Sequence, residues 1–564
     1  MSSEERLQVY LFLLFQTKEV IDRTKDASLG RPTELTPLEG SVERACRDRP
    51  SRARLTGFLG HIVSSVARGL FRASLAQLDG AVFRLQSLEP MGDRENAALV
   101  DLSGCDELRE FGLGLLSLAR LNGLGVRSGF GSFGPRVSLA GLFGSGHGVA
   151  SLTPAPPQLD ENSVLCHPIS MTSPASVYVV AAARTPIGAF LGSLAPVPGT
   201  ELGTLAIRGA LARSKLAPDA VQEVFMGNVL SAGLGQAPAR QAAIRAGIPN
   251  TTPATTVSKV CGSGMQAVIL GAKTILLGDA EIVVAGGMES MSNAPYYLDK
   301  ARTGYRMGEG KIVDGMIHDG LWDPYGNVHM GSCGDMCARK YELTREQQDE
   351  FARESFRRAL AAQKEGLFDA EIEPVPVPQK KGEPIRVKLD EGPGKGDPSK
   401  FASLKPAFSK DGTITAANAS SINDGASALV LASEGAVKEH KLEPLARIVG
   451  YGGAAQAPEW FTTAPAKAID GTLAKLGMNK EQIDLYEINE AFAAVTMACA
   501  RLCGLDLQRV NVRGGAVALG HPIGASGARI LTTLLYAMRD RGAKRGLATL
   551  CIGGGEALAV VVER

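Results

Sequence analysis

The chain lacks most of the features that assign a protein at a glance. No run reaches the ~18 apolar residues that cross a bilayer; the nearest, Val9 to Phe15, is far too short. Charge of one sign is missing too: 60 basic against 59 acidic residues leave +1, so no global field recruits nucleic acid or an anionic membrane. Aromatic residues are only 5%. The nine cysteines, at 46, 105, 166, 261, 333, 337, 499, 503 and 551, have neither the density nor the even count of a disulfide scaffold, which points to a reducing compartment. Glu4 and Glu5 stand where a secretory signal carries its basic residues. There is no Gly-x-Gly-x-x-Gly after a strand, no Gly-x4-Gly-Lys-Ser/Thr loop and no Gly-x-Ser-x-Gly elbow, so dinucleotide, nucleoside-triphosphate and serine-hydrolase readings lose support.

What is present is length and glycine. The 564 residues amount to three or four domain-sized units, and 45% apolar with 21% charged residues is globular composition. Gly is frequent at 66 residues, against a usual share of about 7%, as expected where backbone approaches ligands closely. Residues 1–170 hold 16 Arg and 2 Lys, the remainder 22 Arg and 20 Lys. That composition boundary sets off an N-terminal extension, read as poorly ordered or artefactual with a natural start at Met171; the Arg-rich stretch Arg44 to Arg72 leaves organelle targeting as the other reading.

From Ser176 strands alternate with helices: Val177 to Ala182, helix Glu201 to Arg213, strand Val221 to Met226, and a helix near Ala239. This is the pattern of an α/β fold with a parallel sheet covered on both faces. Two segments share a plan. In one, a strand ending at Val260 meets Cys261-Gly262-Ser263-Gly264, a helix with apolar residues at 265, 268, 269, 272, 275 and 276, then strand Ile282 to Ala285. In the other, strand Val510 to Val512 meets Gly514-Gly515 and His521-Pro522-Ile523-Gly524, a helix Ser526 to Met538, strand Leu547 to Cys551 and Gly553-Gly554-Gly555. An internal duplication follows. Between the halves, about 288–407, lies a polar insertion with one clear helix, Arg345 to Gln363, and basic residues Lys380, Lys381, Lys395, Lys400 and Lys405 that suit phosphates.

Cys261 sits where a strand meets a helix, so orphan N–H groups and the helix dipole are expected to depress its thiol pKa. His521 lies in a loop fixed by Gly520 and Pro522, and Cys551 ends the next strand; all three are expected at the sheet edge where open α/β proteins bind ligands. Asn489, after strand Ile483 to Ile488, is expected to open a helix at the same edge. The pairs Cys333/Cys337 and Cys499/Cys503 lack zinc spacing and read as ordinary core or surface cysteines.

Four ordered motifs, Val260-Cys261-Gly262-Ser263-Gly264-Met265, Asn489-Glu490-Ala491-Phe492, Gly514-Gly515-Ala516 to Gly520-His521-Pro522-Ile523-Gly524, and Cys551-Ile552-Gly553-Gly554-Gly555, resemble the thiolase family, in particular its acetyl-CoA acetyltransferase members. The resemblance covers residues 176–564. It implies a duplicated five-layered α/β/α/β/α fold, with an N-terminal thiolase domain at 171–440 that includes the insertion as a loop domain, a C-terminal domain at 441–564, and a homotetramer built from tight dimers. It also implies roles: Cys261 as the nucleophile taking an acetyl group, His521 promoting its thiolate, and Cys551 removing a proton from a second acetyl-CoA to give acetoacetyl-CoA and CoA. His521 and a water on Asn489 would serve the enolate, and the N–H groups of Cys261 and Gly553 the acyl carbonyl.

CoA is a substrate in this reading and no prosthetic group is expected. His329 and Met330 resemble the stretch that meets pantetheine and crowds the acyl pocket, Ser420 in Ala416-Ala417-Asn418-Ala419-Ser420 its second contact, and Phe492 a wall; Lys405 is the candidate for the CoA phosphates, because Asp390 to Lys400 lacks the family's Arg-His-Gly signature. Tyr325, Ala416, Ala417, Ala419 and Val517 match the potassium positions of potassium-activated members. The alternatives are a longer-chain 3-ketoacyl-CoA thiolase and a non-catalytic thiolase-like lipid-binding protein; a decarboxylating ketosynthase is disfavoured by the second cysteine. Neither nucleic acid nor membrane is an expected partner. The expected location is the cytoplasm, with the mitochondrial matrix as the alternative.

Overall fold

The computed structural model describes residues 176–564 and three short strands before them, Leu99–Asp101, Arg127–Gly131 and Gly134–Ser138. Those three form a small antiparallel sheet with Gly134–Ser138 in the middle, within a separate unit that ends at Leu165. The other expectations for 1–170 fall outside the described residues.

In the second unit the chain runs β1 (Val177–Arg184), α1 (Gly199–Ser214), β2 (Glu223–Gly227), α2 (Pro238–Arg245), β3 (Ala254–Val257), α3 (Ser263–Leu277), β4 (Ile282–Ser290) and, after the insertion, β5 (Asn423–Ser433). It then repeats itself with β6 (Ala446–Ala455), α6 (Ala464–Lys475), β7 (Leu485–Ile488), α7 (Ala493–Cys503), α8 (Ile523–Arg541), β8 (Arg545–Ile552) and β9 (Glu556–Glu563). The insertion contributes α4 (Met330–Lys340) and α5 (Arg345–Lys364).

The first half orders its strands β1-β5-β4-β2-β3 and the second β6-β9-β8-β7, where a single parallel bridge from Tyr486 to Val510 stands in for the fifth strand. The sequence places a full strand at 510–512; one bridge is what forms. The pairings β4·β2, β2·β3 and β7·β8 are parallel, but β5 and β9 run antiparallel to both neighbours. The sheet is therefore mixed rather than parallel as expected. The halves join edge to edge where Ala446–Ile448 pairs with Val177–Val179.

Five layers follow from which faces are apolar. β4 is buried along all nine residues, as a strand covered on both faces must be. α3 and α8 pack on each other between the two halves, α1 and α2 cover the outside of the first, and α6 covers the second with α7 beside it. Three apolar cores fill the spaces between. The stretch Val260–Leu277, with a mean hydropathy of 1.5, is long and apolar enough for a membrane span by length and composition; here it forms the central helix α3. Of its expected apolar face, 265, 268, 269, 272 and 275 are buried and Leu276 is exposed. A left-handed Gly278 ends it at φ +80°.

The insertion starts later than the sequence places it, because β4 continues through the glycines to Ser290. It is fastened by Arg184, which is fully buried at the end of β1. Its Nε donates to Glu371 at 2.6 Å, and Nη1 and Nη2 donate to the two oxygens of Asp390 at 2.7 and 2.9 Å. Breaking such a triad leaves buried carboxylates uncompensated. Arg184→Met is expected to cost about 3–5 kcal/mol, read as a lower urea midpoint. An unchanged midpoint would show that the triad does not hold the insertion.

Candidate active site

Cys261 rides on a tight turn between β3 and α3. Val260, a β-branched residue, is held at φ +43°, a strained conformation typical of functional turns. The turn is pinned by Gly262 N donating to the Lys259 carbonyl (2.9 Å), and by Ser263, whose Oγ donates to the Val260 carbonyl (2.7 Å) and accepts from Lys259 N (2.8 Å). A Cβ on Gly262 would lie 2.4 Å from the Ile552 side chain, so a larger residue here would push on the end of β8. The backbone N–H groups of Gly553 and of Cys261 itself lie near the half-buried Cys261 sulfur and favour its thiolate. Even so, burial pushes its thiol up to about 11, and the nearby Glu289 adds to this. The sequence expectation of a depressed pKa is corrected: removing a thiolate from water outweighs two N–H donors and a helix that starts two residues later.

Cys551, fully buried at the end of β8, is close enough to Cys261 to feel its charge; burial first, then Cys261, raises it well above the ordinary thiol value. Gly554 and Gly555, both at φ +90°, turn the chain so that Gly553 points its N–H back at Cys261.

His521 is buried beside the start of α8. Its Nδ1 lies 2.6 Å from Ser526 Oγ, and that hydroxyl donates to the Pro522 carbonyl at 2.8 Å. With its one proton committed, Ser526 accepts from His521 Nδ1–H, which leaves Nε2 unprotonated and an acceptor. Nε2 faces Asn489 Nδ2 at 3.5 Å. Burial, with Arg529 adding to it, lowers the imidazole to about 3, so the resting pair is neutral thiol and neutral imidazole. Asn489 does not cap α7 as expected; Phe492 takes that position. Asn489 is instead tied to β8 through its N–H on the Thr549 carbonyl (3.0 Å), and its buried Oδ1 has no partner among the described residues, an acceptor suited to a water.

The adjoining wall is built by α4 and its neighbours. His329 caps α4, its Nδ1 accepting from Gly331 N at 3.1 Å, and stacks on Phe408 at 4.6 Å; Phe408 meets Phe492 edge-on at 6.2 Å. Met330 Sδ lies 3.6 Å from where a Cβ on Gly553 would stand, which puts it over the reacting turn. Ser420 Oγ donates to the Ala491 carbonyl at 2.9 Å, next to Phe492. Lys395 and Lys400 pair with Glu391 (3.7 Å) and Asp397 (2.9 Å); Lys405 is exposed and, among the described residues, in no ion pair. Ala417 and Val517 pack in one cluster and Ala419 in another, whereas Tyr325 is 72% exposed and borders the turn at Gly554. The four core cysteines at 333, 337, 499 and 503 are buried free thiols.

The family model "Thiolase, N-terminal domain" matches residues 177–435, and "Thiolase, C-terminal domain" matches 442–564. The chain belongs to the thiolase family. Among relatives of this thiolase, acetyl-CoA acetyltransferase 2 of Arabidopsis thaliana is 55% identical over 401 residues, 71% of this chain and all of that one. The acetyl-CoA acetyltransferase of Schizosaccharomyces pombe is 53% identical over 389 residues, 69% of this chain and 98% of the relative. A solved structure, Acat5 thiolase from Ascaris suum in complex with coenzyme A, superposes with a TM-score of 0.66 at 46% identity, covering 69% of this chain and all of that one. The thiolase fold and the acyltransferase class expected from the motifs both hold.

The roles of four supporting residues escaped the sequence reading. Ser526 sets the tautomer of His521, and Asn423 Oδ1 accepts the His521 N–H at 2.9 Å. Glu490, buried, takes Ser355 Oγ (2.7 Å), Asn511 Nδ2 (2.9 Å) and Val517 N (3.1 Å). Glu289 holds the start of α8. Their signal was faint: a carboxylate at the end of an otherwise apolar strand, as Glu289 is, needs partners, but the sequence does not say which.

Proposed function

We infer that this thiolase is an acetyl-CoA C-acetyltransferase, joining two acetyl-CoA into acetoacetyl-CoA and CoA through an acetyl-Cys261 intermediate, and running in reverse as a thiolase. The observation that supports the chemistry is a His521 whose Nδ1–H is committed to Ser526, so that Nε2, facing Asn489 Nδ2, is the proton acceptor, together with a Cys261 turn flanked by the N–H groups of Cys261 and Gly553. As Cys261 Sγ attacks the thioester carbonyl, its proton passes to His521 Nε2 and the two N–H groups take the oxyanion. The departing CoA thiolate takes the proton of Cys551. The Cys551 thiolate, made strongly basic by burial, then removes an α-proton from the second acetyl-CoA. Imidazolium His521 and a water on Asn489 Oδ1 hold the enolate oxygen. The enolate carbon attacks acetyl-Cys261, the Cys261–acyl bond breaks, and His521 returns its proton to the leaving sulfur.

Met330 over the turn and the Phe408/Phe492 wall support a short acyl group. Ser420 and His329 are proposed for the pantetheine and Lys405 for the phosphates. Potassium suits an all-oxygen site, and no hydrogen bond among the described residues ends on the carbonyls of Ala416, Ala417 or Ala419; with Val517 and Tyr325 they would hold it and stiffen the loop before Ser420. The homotetramer is supported by the apolar surface of the segment carrying Leu298, Met307 and Ile312, with Met307 98% exposed. The free thiols support a reducing compartment, for which the cytoplasm is proposed.

The test is CoA-dependent cleavage of acetoacetyl-CoA against a C10 3-ketoacyl-CoA, in K+ or Na+. Preference for the four-carbon substrate and faster turnover in K+ are expected. Preference for the longer chain would overturn the substrate assignment, and identical rates in both salts the ion site.

A further inference from the structure

Glu289 is fully buried at the end of β4, yet every lone pair it offers is addressed. Oε1 accepts from Asn228 Nδ2 (2.7 Å) and Leu230 N (3.2 Å), and Oε2 from Val229 N (3.1 Å) and Gly524 N (2.9 Å). These donors belong to two walls of the site. Val229 and Leu230 follow β2 and pack with Ile523 and Cys261 in one apolar cluster. Gly524 is the second residue of α8, three residues after His521, where the positive end of the helix favours an anion. A Cβ on Gly524 would stand 2.5 Å from Oε2, so the contact is too close for any other residue.

We propose that Glu289 is a positioning residue for acyl transfer, whose ionised carboxylate clamps the floor beneath Cys261 to the helix that carries His521. The inference rests on the functional reading above. The other ionisable groups that face it are Cys261 and Asp424 on β5; Asp424 is itself held by Ser290 (3.2 Å) and Ser292 (2.6 Å). Burial lifts Glu289 to about 7 against the pull of its N–H donors, and Asp424 adds a smaller upward push. Protonation turns one acceptor oxygen into a donor facing N–H groups, so one strut of the clamp must open as pH falls. His521, lowered to about 3, leaves no limb of its own near neutrality.

The experiment compares wild type with Glu289→Gln in the full chain, measuring kcat and KM for acetoacetyl-CoA cleavage from pH 5.5 to 9 together with the rate of Cys261 alkylation by iodoacetamide. Wild type is expected to lose kcat on acidification with a midpoint near 7. The variant is expected to have at least tenfold lower kcat per alkylatable Cys261 with KM within twofold, no limb at 7, and faster alkylation at pH 8, because the negative charge beside the sulfur is gone. An unchanged kcat, a limb that persists, or unchanged alkylation overturns the proposal. Should Glu289→Gln not fold, Asn228→Ala removes one donor to the carboxylate and is expected to move the wild-type limb upward; an unmoved limb overturns it equally. Wild type without turnover would sink the functional reading, while alkylation still decides whether Glu289 governs the sulfur.

Discussion

Cys261→Ala is expected to abolish acetoacetyl-CoA cleavage, lowering kcat by at least ~10³-fold, while the protein folds and keeps its thermal midpoint within a few degrees. Two features separate the chemical loss from damage to the fold. The turn that bears Cys261 is held by Lys259, Gly262 and Ser263, none of whose bonds uses the sulfur. The side chain is also half-buried, so truncation opens no sealed cavity of the kind that costs several kcal/mol. The thiol at about 11 and imidazole at about 3 make a further demand on wild type. Alkylation of Cys261 should climb steadily above pH 8 rather than reach a plateau near neutrality, since a neutral pair has no thiolate to offer until a base or substrate takes the proton. Turnover surviving in Cys261→Ala, or a plateau below pH 7, would mean that another group is the nucleophile or that the pair rests as an ion pair.

The fold was legible wherever apolar pattern and punctuation agreed. The run Ile282 to Ala285 with its glycines, the helix after Cys261 and the repeat around His521 all stand where their patterns put them, because strands buried on both faces and helices ended by glycine write themselves into composition. What stayed hidden were polar bonds that depend on three-dimensional geometry. Nothing local ties Glu289 to Gly524 across 235 residues, and the Ser526 bond to His521, though only five residues apart, depends on how the loop enters α8. The direction of the Cys261 shift was also out of reach, since helix N-terminus and burial act in opposite senses and only packing decides which is larger. Val510 to Val512 has strand composition but makes a single bridge. Asn489, a good cap by type, is claimed by the Thr549 carbonyl and by His521.

Gly287→Ala is expected to damage both stability and turnover severely. Gly287 lies in β4 directly under the first turn of α8. A Cβ there would stand 2.1 Å from the Gly524 carbonyl oxygen and 3.0 Å from Ala525 Cα, both backbone atoms that no rotamer change can move. A Cβ on Gly227 or on Gly264 would likewise stand 2.7 or 3.1 Å from the same carbonyl, so β2 and α3 also come close to this turn and leave α8 little room to slide sideways. The helix must lift off β4, and that breaks the Gly524 bond to Glu289. Overpacking of this kind costs about 1–3 kcal/mol, and more where backbone must move. Because His521 precedes the displaced turn by two residues, kcat should fall at least ~10²-fold, the penalty of roughly 1 Å of misplacement. Thermal melting beside acetoacetyl-CoA cleavage reads both quantities. A Gly287→Ala protein with the wild-type midpoint and rate would show that α8 has room above β4, and that the close approach of helix to strand does not set where His521 stands.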